Sequence, residues 1–375
     1  QLFRGFLLLA MAVPGLAAPI DPLAPDNSAP ATISGMKLFW NDEFKVDGKP
    51  DAKFWSSESG FVRNEELQWY RSQNAACIGG VLRFEGRKER VANPKYSATG
   101  SDWKTKRQYA EYTSTSLTTS GKVSWKYGHL EIRARLDGQF GSWPAIWTLG
   151  ASGEWPTNGE VDIMEFYPSG TTPLFHANCA WGTATRWNAA WNAKTRPLSE
   201  FTSKDPDWLK KFHLLTMDWT KDSVVLKLDN TVMNAASTAK MVNNDGTKPY
   251  TDRAQYGLLN LAIGANGGDP SKAVFPMVFE VDYFRVYQPG SSSLAERLAA
   301  ADWKIRATPG IAGQFLVEQE IDPSARIEVL SANGRQILEQ PASATTRIDL
   351  RQNPSGIYLV RLKTSAGTLV TKILR

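Results

Sequence analysis

The segment Gly159-Glu160-Val161-Asp162-Ile163-Met164-Glu165-Phe166 places three carboxylates within six residues of an otherwise apolar, β-prone run. Unpaired acids are costly to bury, so a strand bearing three of them either exposes them or uses them. Alternation along a strand puts Glu160 and Asp162 on one face and would send Glu165 to the other. One extra residue, accommodated as a β-bulge near Ile163-Met164, returns Glu165 to the side of its neighbours. Two glutamates gathered on a rigid strand suit glycoside hydrolysis, one as nucleophile and the other as acid/base. The plainer reading of alternating acids is a solvated outer face.

The surroundings bear on that choice. In Gly141-Ser142-Trp143-Pro144-Ala145-Ile146-Trp147 the two tryptophans share a face, and Trp155-Pro156 just precedes the acids. Indole planes beside carboxylates suit sugar rings, whose C–H faces pack on the aromatic while hydroxyls are hydrogen-bonded at the rim. Trp40, Trp55, Trp125 and Trp219 read as core residues, yet fourteen tryptophans in 375 residues exceed core duty alone.

A chain this long predicts two domains. Its hydrophobic content of 42% supports a packed core, and the net charge of +5 comes without a basic block, so no nucleic-acid partner is expected. Cys77 and Cys179 lack zinc-type spacing; both lie in β-like segments and read as buried free thiols, with a disulfide as the alternative. Arg4, the apolar run Phe6–Val13 and the small residues to Ala18 read as a signal peptide over residues 1–18, too short to span a bilayer. Because the chain opens on Gln, residues ahead of it are expected. Export to a secreted or cell-surface location follows.

Residues 19–36, rich in Pro, Ala and Asp, read as a flexible leader. From 37 to 289, short β-prone runs divided by turn residues predict one all-β sandwich with a groove for a polymer, interrupted by a short helix around Asp207–Phe212. Residues 290–303 read as a linker, helical from Leu294 to Trp303, and 304–375 as a small second β-sandwich.

The region 37–288 resembles glycoside hydrolase family 16, in its laminarinase-like branch. The likeness rests on Trp40-Asn41-Asp42-Glu43-Phe44, Asn64-Glu65-Glu66-Leu67-Gln68-Trp69-Tyr70, Tyr127-Gly128-His129-Leu130-Glu131-Ile132-Arg133, the Trp143–Trp147 run, the acidic strand, and Glu280-Val281-Asp282-Tyr283-Phe284-Arg285-Val286-Tyr287. The resemblance implies a β-jelly roll that hydrolyses β-linked glucans or galactans with retention. Glu160 would be the nucleophile, Glu165 the general acid/base, and Asp162 the group that tunes both. It also implies Asn64, Arg133, Trp143, Trp147, Trp155 and His176 as sugar-binding residues. Catalysis would need no metal, while Glu43 and Asp282 would hold a structural calcium ion. The expected substrate is β-1,3- or mixed β-1,3-1,4-glucan, acted on by a monomer; a β-galactan hydrolase or a non-catalytic glucan-binding protein are the alternatives. The C-terminal residues Ser331-Ala332-Asn333-Gly334-Arg335, Gly356–Val360 and Lys372–Arg375 resemble the sorting domain of type IX secretion, which implies secretion machinery as a partner.

Overall fold

The computed structural model describes residues 20–289, 304–318, 326–343, 345–364 and 367–375. The signal-peptide, linker and 294–303 helix assignments lie outside the described residues. The chain divides into two compact units, Gln1–Gln288 and Pro289–Arg375.

The first unit is a sandwich of two antiparallel-dominated sheets. One has seven strands, in the order Ala189–Pro197, Thr172–Gly182, Glu160–Ser169, Ser142–Gly150, Gln255–Ile263, Ser116–Thr118 and Ser56–Ser57. The acidic strand, Glu160–Ser169, sits near the middle. The other sheet, of eleven strands, is centred on Gly128–Leu136 and Met277–Pro289. Alternating apolar residues from both inner faces fill the space between: Val161, Ile163, Met164 and Phe166 from one sheet, Leu130, Ile132, Phe279 and Phe284 from the other. This is the packing that period-two patterning produces in a sandwich. Trp55, Trp125 and Trp219 lie in this core, with Trp40 packed against it. The anticipated helix near Asp207 is a single 3-10 turn, Trp208–Lys210. Cys77 and Cys179 are both buried and unpaired.

The segment expected to be a flexible leader is instead strapped to the eleven-stranded sheet, the outer sheet, on its face away from the core. Thr32–Ile33 pairs with Met36–Asp42. Asp26 is buried; its amide donates to Asp282 Oδ2 at 2.9 Å and its carboxylate accepts from Arg285 Nη1 at 3.1 Å. Arg133 Nη2 donates to the carbonyl of Asp21 at 2.6 Å and Nη1 to that of Ala24 at 2.8 Å. Composition alone signals disorder here; the arginines of distant strands supply the missing order.

The second unit has a three-stranded sheet, Lys304–Ala307, Gln314–Glu318 and Thr345–Asp349, and a four-stranded one containing Arg326–Ser331 and Ile357–Thr364. Ile327, Val329, Ile348, Val360 and Leu362 are among its core residues.

Arg285 is almost fully buried and serves Glu43 and Asp26 together. Replacing it with alanine leaves two carboxylates uncompensated, so Arg285→Ala should lose about 3–5 kcal/mol in chemical denaturation. An unchanged midpoint would mean that the Arg285 pairs with Asp26 and Glu43 contribute nothing to the fold.

Candidate active site

The acidic strand carries the irregularity that its spacing demands. Against Ser142–Gly150, Met164 pairs with Ile146 and Asp162 with Trp147, leaving Ile163 as the extra residue. Against Thr172–Gly182, Asp162 pairs with Asn178 and Glu165 with His176, so two residues oppose the single Ala177. Ile163 and Met164 both turn into the core. Glu165 thereby joins Glu160 and Asp162 on the opposite face, beneath a cleft of about 750 Å³ lined by both glutamates.

Each acid is held by donors from neighbouring elements. Trp155 Nε1 donates to Glu160 Oε2, and Trp143 Nε1 to Glu165 Oε1 at 2.9 Å. Asn178 Nδ2 lies 3.1 Å from both Asp162 Oδ2 and Glu165 Oε2, bridging the two. The hydroxyl of Tyr250 lies 2.6 Å from the main-chain oxygens of Glu160 and Ala180, pinning the start of the acidic strand.

The electrostatics separate the three groups. Desolvation, reinforced by the charge of Glu160, pushes the Glu165 carboxyl up to about 7. Desolvation and the charges of Glu165 and Glu160 hold Asp162 well above the usual carboxylate range. Glu160 is also raised by desolvation, against hydrogen bonds from Asp162 and Trp155 that favour its anion. A proton shared within such a set leaves one glutamate able to donate and another ionised.

The flanks of the cleft are aromatic and amide-rich. Trp143, Trp147 and Trp155 line it, as does Asn64, whose backbone is left-handed at φ 56°. Trp147 Nε1 donates to Asn260 Oδ1 at 2.7 Å, and the Arg63 guanidinium lies 5.2 Å from its ring centre. Ala145, Trp147 and Leu258 form a small apolar floor. His176 lines the cleft stacked on Tyr167, their ring centres 3.6 Å apart, and its Nε2 lies 3.1 Å from the Tyr167 carbonyl. Burial holds its pKa below the ordinary value, which favours the neutral ring.

Three of the residues singled out in the sequence lie elsewhere. Arg133 is on the outer sheet, 4% exposed, with Nη1 donating to Asp282 Oδ2 at 2.6 Å. It cannot touch a sugar in the cleft. Glu43 and Asp282 do not fit a calcium site. Glu43 accepts from Arg285 Nε at 2.9 Å and Nη2 at 2.7 Å, while Asp282 is taken by Arg133 and the Asp26 amide. Hard carboxylate oxygens suit calcium only when free of such cationic partners. Conversely, Arg63, Tyr167, Asn178, Trp191, Ala193 and Asn266 line the cleft without having been singled out. Asn178 and Trp191 enter through strand register; only Asn178, one strand from the acids in Phe175–Gly182, carried a signal in its alternation with His176.

Comparison with known proteins decides the class. Residues 85–273 match glycosyl hydrolases family 16. The chain belongs to that family. It is 32% identical over 269 residues to a β-glucanase of Rhodothermus marinus, covering 67% of this chain and 85% of the relative. The endo-β-1,3-glucanase of Pyrococcus furiosus superposes with a TM-score of 0.56 at 29% identity, over 68% of this chain and 94% of that one. A structure from work on endo-acting O-glycanases of the human gut microbiota gives a TM-score of 0.62 at 30% identity, over 70% and 94%. Residues 311–374 match the secretion system C-terminal sorting domain.

Two measurements test the raised Glu165 carboxyl and the engagement of Glu43 and Asp282 by arginines. For Glu165 the folded pKa of about 7 exceeds the ordinary 4.5, so its stabilising contribution is complete below the latter and lost as pH rises through the former. Glu165→Gln should therefore melt above wild type at pH 8 and show no such advantage at pH 4; equal melting shifts at both pH values would contradict the raised pKa. Calcium or a chelator should leave the melting temperature unchanged, whereas a bound ion would raise it with concentration.

Proposed function

We propose that the protein is an endo-acting, retaining β-glucanase that cleaves β-1,3- or mixed β-1,3-1,4-glucan by double displacement. The observation that carries the reading is the bulge at Ile163, which sets Glu160 and Glu165 on one face under an aromatic cleft. Protonated Glu165 gives its proton to the glycosidic oxygen as Glu160 attacks the anomeric carbon, forming a glycosyl ester and freeing the leaving chain. Glu165, now ionised, takes a proton from water, whose oxygen displaces Glu160 and restores the starting state. Asp162 keeps the two titrations apart and positions Glu160. Asn64, Trp143, Trp147, Trp155 and His176 are assigned to sugar binding.

The cleft's charge favours a neutral glucan over a sulfated galactan. Among the described residues lining it, Arg63 is the one arginine or lysine, and Glu58 neutralises it. A non-catalytic binding role is disfavoured because both glutamates are present and differently poised. The sorting domain goes with a secreted or cell-surface protein, and we assign residues 1–18 to the export signal.

Glu160→Ala and Glu165→Ala should each lower kcat by roughly a thousandfold or more while the fold persists. Azide tells the roles apart. It should give a β-glycosyl azide with Glu165→Ala, by attack on the glycosyl ester, and an α-glycosyl azide with Glu160→Ala, by direct attack on a substrate with a good leaving group. Near-wild-type hydrolysis by either variant would end the assignment. Incubation with laminarin, lichenan, agarose and porphyran should give mid-chain cuts in the first two; release from the galactans alone would move it to a galactan hydrolase. The kcat/KM profile of wild type should fall above about pH 7 as Glu165 loses its proton. Asn178→Ala, by removing a donor to the Glu165 anion, should move that fall to higher pH; a fall at lower pH would contradict the arrangement.

A further inference from the structure

The cleft is furnished unequally on the two sides of the acids. On one side stand Trp143, Trp147 and Asn64, with Asn260 and Arg63 bracing Trp147. On the other, beyond His176 and Asn178, the sheet ends in the edge strand Ala189–Pro197, which offers Trp191 with the small Ala193 beside it on the same face. Trp191 pairs with Ala180 and Ala180 with Glu160, so the indole lies level with Glu160 two strands away. Two strand spacings amount to about 10 Å, room for sugar between them. Trp191 is 48% exposed. A large exposed aromatic on a sheet edge invites unwanted association, which makes a flat indole facing the cleft a candidate for ligand contact.

A covalent mechanism must keep hold of one fragment while the other departs, so the more heavily furnished side suits the retained fragment. The geometry points to Trp191 as the stacking platform for the sugar on the leaving-group side, a specificity-determining residue for polymer cleavage. This rests on the retaining reading above. The same platform receives an acceptor sugar in transfer: the acceptor hydroxyl gives its proton to Glu165, its oxygen bonds to the anomeric carbon, and Glu160 is released as the carboxylate.

The test compares two substrates on the full-length chain. Laminarin places sugars on both sides of the cut, whereas β-laminaribiosyl fluoride has only fluoride to expel. Trp191→Ala should lower kcat/KM on laminarin roughly three- to tenfold, the size of an aromatic contact. It should leave the fluoride rate unchanged and lower the ratio of transfer to hydrolysis on laminari-oligosaccharides. Trp191→Phe should recover most of the loss. Trp187→Ala, which removes a 55% exposed indole outside the cleft lining, should behave as wild type on both substrates. Equal losses on laminarin and the fluoride, or no loss on laminarin, would overturn the assignment of Trp191. Wild type inert on both would instead overturn the β-glucanase reading and the platform with it.

Discussion

Like-charge repulsion among three carboxylates in a poorly solvated cleft is the constraint around which the first unit is organised. Left to regular pleating, the strand would send Glu165 into the apolar core and Met164 to the cleft. The extra residue at Ile163 reverses both placements at once, seating Met164 in the core and Glu165 beside Asp162. What makes the crowding tolerable is a ring of donors that carry no charge of their own: two indole N–H groups, one from Trp143 and one from Trp155, and the Asn178 amide. Neutral donors stabilise anions without quenching them, so burial and repulsion still raise Glu165. An arginine in their place would have abolished the acid.

The outer sheet resolves the same problem by the opposite means. Three buried acids there, Asp26, Glu43 and Asp282, are each matched to a guanidinium, Arg285 or Arg133, and the strap between residues 20 and 33 completes the network. Full pairing there stabilises structure, while incomplete pairing in the cleft leaves groups able to exchange protons. Charge compensation thus distinguishes the two faces of one sandwich more sharply than residue type does, since both faces use aspartate and glutamate.

Features with local periodicity were legible in the sequence. Period two and the apolar setting identified the bulge, the shared face of Trp143 and Trp147, and the sandwich itself. Alternation also held the correct answer for Arg133. With Leu130, Ile132 and Ala134 pointing inward, Arg133 had to lie on the outer face, yet the family likeness drew it to the cleft. Glu43 and Asp282 read as free oxygen donors because their arginine partners are invisible without the fold; Arg285 and Glu43 stand 242 positions apart. The leader's Pro- and Asp-rich composition could not disclose that Asp26 meets Arg285, 259 positions away. Arg63 and Trp191 reach the cleft through tertiary placement and edge-strand register, which local composition does not encode.

In the proposed mechanism the bulged strand presents Glu160 as the attacking group and Glu165 as its proton partner. A 2-deoxy-2-fluoro-β-laminaribiosyl fluoride would slow release of the covalent species enough for peptide mapping by mass spectrometry. A single label is expected, on the carboxylate of Glu160, and it is shed when an acceptor sugar is added. A label on Glu165, or an inverted anomer as first product with no label at all, would contradict it.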